Sequence, residues 1–228
     1  DTLNACMKSF GGFEHNMQSL RVVDVLEEKY ADFPGLNLTL ETREGILKHC
    51  SKKNAKKLGE VGRRFLENKQ PSLEAQLVNL ADEIAYNNHD VDDSLRYGLI
   101  DLEQLLTIRL FAQQFLGGAT TYAQLPVRRQ IHETIRRMIN FIVVDLIENS
   151  KNLLKSSAVQ SLADVRNYKH ALIAHGEDAR EMMLELKRFL RENLYTHYRV
   201  RRMSRKSAKL IQDLFEVFLN DTSLLPPQ

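Results

Sequence analysis

An all-α fold is predicted by three observations. Apolar residues recur at three- and four-residue spacing through most of the 228 residues. Two-residue alternation, the mark of a half-buried strand, is nearly absent. The connections are short and carry turn residues such as Gly11-Gly12, Pro34-Gly35 and Pro71-Ser72. Amphipathic helices joined this way must bury their stripes against one another, which predicts a compact bundle or an orthogonal multi-helix array. The length suits one domain, residues 1–228, with a helical C-terminal extension.

The elements follow in order. Thr2 to Phe10 reads as a helix that stops at Gly11-Gly12, a pair that permits a sharp turn. A second helix is expected from about Phe13 to Tyr30, with Leu20, Val23 and Leu26 inward and Glu27, Glu28 and Lys29 outward. After the Pro34-Gly35 turn, Thr42 is expected to open a third helix through about Cys50. Ser51 to Gln70 is polar and basic, with no helix assigned. Pro71-Ser72 then starts a long helix to about Tyr97, whose apolar stripe is Leu73, Leu77, Leu80 and Ile84. Asp101 is expected to cap a helix running to Leu116 and closed by Gly117-Gly118. Val127 to Leu154 follows Pro126 and turns Ile131, Ile135, Met138, Ile142 and Leu146 to a core. Ser161 and Asp164 mark a short connecting element, and helices over Glu177–Tyr198 and Ser204–Asn220 complete the chain.

Composition narrows the function classes. No apolar run approaches the roughly 18 residues of a membrane span, and no signal peptide is seen, so a cytoplasmic protein is expected. Cys6 and Cys50 have no metal-ligand spacing, which argues against a disulfide scaffold or a zinc ribbon. Asp1-Thr2-Leu3-Asn4 reads as the inside of a helix without an initiator Met, so residue 1 is taken as a truncation point. Net charge is uninformative, but Lys187 to Lys209 holds nine Lys or Arg against one acid, Glu192. That stretch suits an anionic partner or a set of solvated helix faces. No P-loop, Rossmann glycine pattern, nucleophile elbow or HExxH is present.

Three constellations could carry chemistry. Asp82, Tyr86 and Asp90 fall at i, i+4 and i+8, in line on one helix face beside an apolar stripe. A carboxylate at such an edge is costly unless paired or bound to a cation, so Asp82 could ligate a metal. On spacing alone the commoner reading is a solvated acidic face with a half-buried Tyr. His15 follows the glycine pair near a helix N-terminus, where free N–H groups favour an anion and an imidazole could act as acid or base. A lone helical His is, however, more often a surface or packed residue. Lys187, Arg191 and Tyr195 again fall at i, i+4 and i+8, two cations and a hydroxyl suited to a polyphosphate. On spacing alone a solvated basic face is the commoner reading.

Taken together, these segments resemble the deoxyguanosine triphosphate triphosphohydrolase-like branch of the HD superfamily. The resemblance rests on Phe10-Gly11-Gly12-Phe13-Glu14-His15-Asn16, Pro34-Gly35-Leu36-Asn37, Pro71-Ser72-Leu73-Glu74-Ala75-Gln76, Ala81-Asp82-Glu83-Ile84-Ala85-Tyr86-Asn87-Asn88-His89-Asp90, and Leu194-Tyr195 with His197 and Val200. It runs over essentially the whole chain. It implies an HD-type helical array truncated at the N-terminus, with a divalent metal (Mg²⁺, Mn²⁺ or similar) held by a His, a His-Asp pair and a distant Asp. Only the last is present, at Asp82; the others would lie before residue 1, and the fragment alone is expected to be inactive.

The resemblance further implies that His15 lies by the substrate phosphates as a catalytic residue. Tyr86 and Asp90 would contact the deoxyribose, and Lys187, Arg191 and Tyr195 the triphosphate. The implied reaction cleaves a dNTP into deoxynucleoside and tripolyphosphate. The alternatives are a nucleic-acid-binding or regulatory HD-like protein, or a hydrolase of nucleoside monophosphates or cyclic nucleotides. The basic C-terminal helices could take single-stranded DNA or an effector nucleotide, and a homo-oligomer is expected.

Overall fold

The fold, a computed structural model that describes residues 2–226, is all helical, with no strand among the described residues. The helices are α1 (Thr2–Cys6), α2 (His15–Arg21), α3 (Leu40–Leu47), α4 (Lys52–Ala55), α5 (Glu60–Leu66) and α6 (Leu73–Arg96). They continue as α7 (Leu102–Leu105), α8 (Arg109–Tyr122), α9 (Val127–Ser157), α10 (Leu162–Asn167), α11 (Glu177–Leu190) and α12 (Tyr198–Asn220). Among the described residues no helix is long and apolar enough to cross a membrane. Cys6 and Cys50 are both free.

The main core lies where α6, α8, α9 and α11 pack together. Ile135, Met138, Ile142 and Leu146 of α9 are buried as their spacing predicts, with Ile131 partly buried beside them. Opposite stand Val91 of α6, Leu110 and Phe111 of α8, and Met182, Leu186 and Leu190 of α11. Each such side chain contributes about 1.5–3 kcal/mol on burial. A smaller core of Leu20, Leu47 and Val61 joins α2, α3 and α5. Beside it Glu44 is buried, its carboxylate receiving both guanidinium nitrogens of Arg166 at 3.2 and 2.9 Å, with Arg64 Nε 4.0 Å away.

Several boundaries differ from the sequence expectation, each for a physical reason. The second helix is shorter: α2 passes at Val22 into one π-helical turn, Val22–Leu26, and the chain then folds back on itself. Gly35 and Leu36 donate to the carbonyls of Glu27 and Val23, which ends the helix well before Tyr30. The third helix starts at Leu40 because Thr39, not Thr42, caps it. The segment assigned no helix contains α4 and α5, which meet so closely that a Cβ on Gly62 would lie 2.0 Å from the Ala55 carbonyl oxygen.

In α6, Ser72 caps as expected, but Leu77 is 46% exposed and the first turns bury Gln76 instead. Gln76 is satisfied there, accepting from the backbone of Leu172 and Ile173 at 2.8 and 3.1 Å. Asp101 caps only the single turn α7, through a capping box with Gln104. A new helix begins at Arg109, whose side chain meets Asp178, Glu181 and Glu185 of α11. Gly117-Gly118 does not close that helix. A Cβ on Gly117 would stand 2.7 Å from Arg137 Nη2, so the glycine admits a neighbouring side chain rather than a stop. The last helix begins at Tyr198, capped by His197, instead of Ser204.

Candidate functional site

The side chains singled out on α6 do not all share one environment. Asp82 is 69% exposed and pairs with Lys48, whose Nζ lies 3.0 Å from its Oδ2. Lys48 ends α3 with φ +45° and ψ −70°, a conformation that side-chain-bearing residues seldom adopt. One position on, Glu83 receives Lys187 of α11 at 3.1 Å. Tyr86 is 58% exposed, with its ring 6.5 Å from that of Tyr195. The Tyr195 hydroxyl donates to the Asp90 carboxylate. Burial foremost holds the Asp90 carboxyl above its ordinary range, although the Tyr195 bond works the other way. Burial, joined by the hydrogen bond to Asp90, pushes the Tyr195 phenol well up.

Tyr195 reaches Asp90 from a changed helix. α11 is α-helical only to Leu190, and Arg191–Tyr195 forms a π-helical turn. The wider winding breaks the even Lys187, Arg191, Tyr195 row of an ideal α-helix. The result is a cavity of roughly 850 Å³ lined by Glu83, Tyr86, Lys187, Arg188, Arg191 and Tyr195. Lys187, Arg188 and Arg191, the Tyr86 ring and the Tyr195 phenol open onto it, and Asp90 stands behind Tyr195 as its hydrogen-bond acceptor. Such a set matches an anionic ligand with a ring or sugar attached.

His15 is not gathered into this group. Its side chain is 76% exposed, with a Glu14 carboxylate oxygen 3.3 Å from its Nδ1. Glu14 itself caps α2 through the backbone of Asn16 and Met17. The link to α6 is indirect: Asn16 donates to the His49 carbonyl at 3.4 Å, next to Lys48. Among the described residues no group of three or more His, Cys, Asp or Glu side chains could hold a metal. Asp82 is chemically suited to a divalent cation, but it is one carboxylate, and an ammonium already faces it. The described residues therefore do not by themselves fit a metal centre.

Two participants escaped the sequence reading, Lys48 and Glu83. Lys48 stands in no motif and Glu83, though inside the Ala81–Asp90 segment, carries no role there; both matter through partners distant in the chain. The Arg and Lys side chains of α12 are exposed, and Lys209 is paired within the helix to Asp213 at 2.9 Å.

The segment that supplies Lys187, Arg191 and Tyr195 matches a family model described as a phosphohydrolase-associated domain, over residues 173–228. That match covers the C-terminal part of the chain alone and is a likeness to a domain that accompanies phosphohydrolases. Over its whole length the chain is 56% identical to a deoxyguanosinetriphosphate triphosphohydrolase-like protein of Thiobacillus denitrificans and 58% identical to one of Ralstonia nicotianae. It spans 60% and 59% of those two proteins. A Bordetella pertussis protein with the same name is 56% identical, again across the whole chain and 60% of the relative. The relationship that the segment wording points to is thus found across all 228 residues.

Proposed function

We propose that this chain forms part of a phosphohydrolase that cleaves deoxynucleoside triphosphates to deoxynucleoside and tripolyphosphate. The observation that carries the reading is the cavity in which Tyr86 meets Lys187, Arg191 and Tyr195, with Asp90 hydrogen-bonded to Tyr195. Lys187 and Arg191 neutralise phosphate oxygens by charge-assisted hydrogen bonds. Tyr86 packs its ring on the deoxyribose and leaves no room for a further hydroxyl, while Asp90 and Tyr195 together bind the sugar hydroxyl. Asp82 offers one oxygen ligand toward a divalent cation whose remaining ligands these residues do not supply. His15 serves the phosphates only if α2 moves toward α6. The relatives' name, deoxyguanosinetriphosphate triphosphohydrolase-like protein, supports this substrate class.

The test is tripolyphosphate release from a dNTP panel, using protein of the full length found in the relatives. Asp82→Ala is expected to abolish turnover. Lys187→Ala and Arg191→Ala are expected each to cost at least about tenfold in kcat/KM, the loss of one charge-assisted contact. Full activity in the Lys187→Ala, Arg191→Ala double variant would sink the phosphate assignment. A second reading is favoured by the exposed Arg199, Arg201, Arg202 and Arg205 of α12, which suit single-stranded DNA. It calls for salt-sensitive binding of an oligonucleotide without nucleotide cleavage. Assembly into a homo-oligomer belongs with these proposals and is read from sedimentation.

A further inference from the structure

α12 runs for 23 residues and buries none of them, whereas α6, α9 and α11 each bury several. Its sequence is nevertheless amphipathic. Met203, Leu210, Leu214 and Val217 recur at intervals of seven, four and three, which keeps them within about 60° of arc at 3.6 residues per turn. All four are exposed, Leu210 to 58%. The rest of the fold touches α12 through α1, and only Val200, Ala208, Phe215 and Phe218 are half-buried. A contiguous apolar stripe left in water on a long helix marks a contact surface.

Charge indicates what covers it. Arg199, Arg201, Arg202, Arg205, Lys206 and Lys209 occupy the first half of the helix with no acid among them. Asp213, Glu216 and Asp221 occupy the stretch after Leu210 with no cation among them. The helix dipole favours the reverse, acids in the first turn and cations in the last, and α12 has neither. Its charges are therefore disposed against its own dipole. A helix with a basic first half and an acidic second half is complementary to a copy of itself running the other way, the condition for an isologous two-fold contact. An oligonucleotide would take the basic half and leave both the stripe and the acidic half without a partner.

We propose that two copies of this protein meet along the α12 stripe, antiparallel, with the two-fold axis at Leu210. Leu210 then packs on Leu210 of the second copy, and Met203 on its Val217. On the flank Lys206 comes beside Asp213 of the second copy, and Arg199 beside its Asp221; symmetry makes each pair twice. Asp213 accepts from Lys209 through Oδ1 at 2.9 Å, which leaves Oδ2 for the approaching ammonium. The pairing gives the homo-oligomer proposed above its surface and does not depend on the reaction.

Sedimentation velocity on protein of the full length found in the relatives tests it. Self-association is expected, weakened at least about tenfold by Leu210→Asp with the helix content unchanged in circular dichroism, since Leu210 is exposed. Lys206→Glu is expected to weaken it too, and adding Asp213→Lys to restore it, because the swap exchanges the signs of a pair. A short bismaleimide reads the register in a Cys6→Ser, Cys50→Ser background. Leu210→Cys is expected to cross-link to itself. Met203→Cys and Val217→Cys, about 21 Å apart along the helix, are expected to cross-link only when the two variants are mixed. A monomeric parent, assembly unchanged in Leu210→Asp, Met203→Cys cross-linked to itself, or no cross-link at Leu210 would each overturn the pairing. Unchanged assembly in Leu210→Asp would leave an oligomer built through another surface standing. Tripolyphosphate release by the same preparation reports on the cavity alone, so the readings fail separately.

Discussion

The two cores hold their helices by different means. Around α2, α3 and α5 the buried apolar set is Leu20, Leu47 and Val61, and the interior is completed by charge: Glu44 with Arg166 and Arg64. Around α6, α8, α9 and α11 apolar packing suffices, from Ile84 to Leu194, and ion pairs such as Arg109 with its three acids lie at the edge. Short helices cannot present enough apolar surface, so the smaller region relies on a carboxylate shared between arginines. Burial raises the Glu44 carboxyl and lowers the Arg64 guanidinium, so each charge is tolerated only because the other is present. The candidate site straddles the two regions, with Lys48 reaching Asp82 from the smaller one.

The sharpest way to break this comparison is Glu44→Ala. Removing the carboxylate leaves Arg64 buried and unpaired and Arg166 with Glu41 alone, 3.6 Å away, a loss of about 3–5 kcal/mol. Denaturant unfolding measures it, and because the pair is buried the loss is expected to persist at high salt. A loss that vanishes with salt would mean the cluster is solvated and the contrast false. Met138→Ala tests the other region. Met138 is fully buried, and its truncation is expected to cost about 2–5 kcal/mol through lost transfer energy and a cavity. An effect below about 1 kcal/mol would show that the large core relaxes around the gap and is less tightly packed than described.

The same contrast explains what could be read from residues alone. The stripe of α9 was legible because Ile135, Met138, Ile142 and Leu146 meet a uniform apolar partner, and helical spacing is then a sufficient signal. The stripe of α6 was half legible. Leu77 obeys the spacing yet is exposed, and Gln76 is buried because two backbone N–H groups from a distant loop need an acceptor. Gly117-Gly118 looked like a stop because the close side chain, Arg137, lies in another helix. At the site, the i, i+4, i+8 spacing correctly set Tyr86 and Asp90 on one face. The contact between Asp90 and Tyr195 spans 105 residues and depends on a π-helical turn that no local signal marks. Pairings such as Lys48 with Asp82 and Lys187 with Glu83 are likewise products of the packing.

The smallest expected effect probes that π-turn contact. The Asp90 carboxyl is held above its ordinary range in the folded protein, so folding favours its protonated form. The stability this contributes is fully present below the unfolded carboxylate value and is lost as pH rises through the raised folded value. At neutral pH the charged carboxylate is then a net cost, softened by the Tyr195 hydroxyl. Asp90→Asn keeps an oxygen to accept from Tyr195 and removes the titration. The variant is therefore expected to be as stable as the parent or slightly more stable at neutral pH, by no more than about 1 kcal/mol for so partly exposed a group. Thermal unfolding across the acidic range reads the sign, and the advantage should shrink or reverse as the parent's Asp90 takes up its proton. A variant that is least stable at neutral pH and recovers in acid would mean that the charged carboxylate is what holds Tyr195, and that burial does not govern this pair.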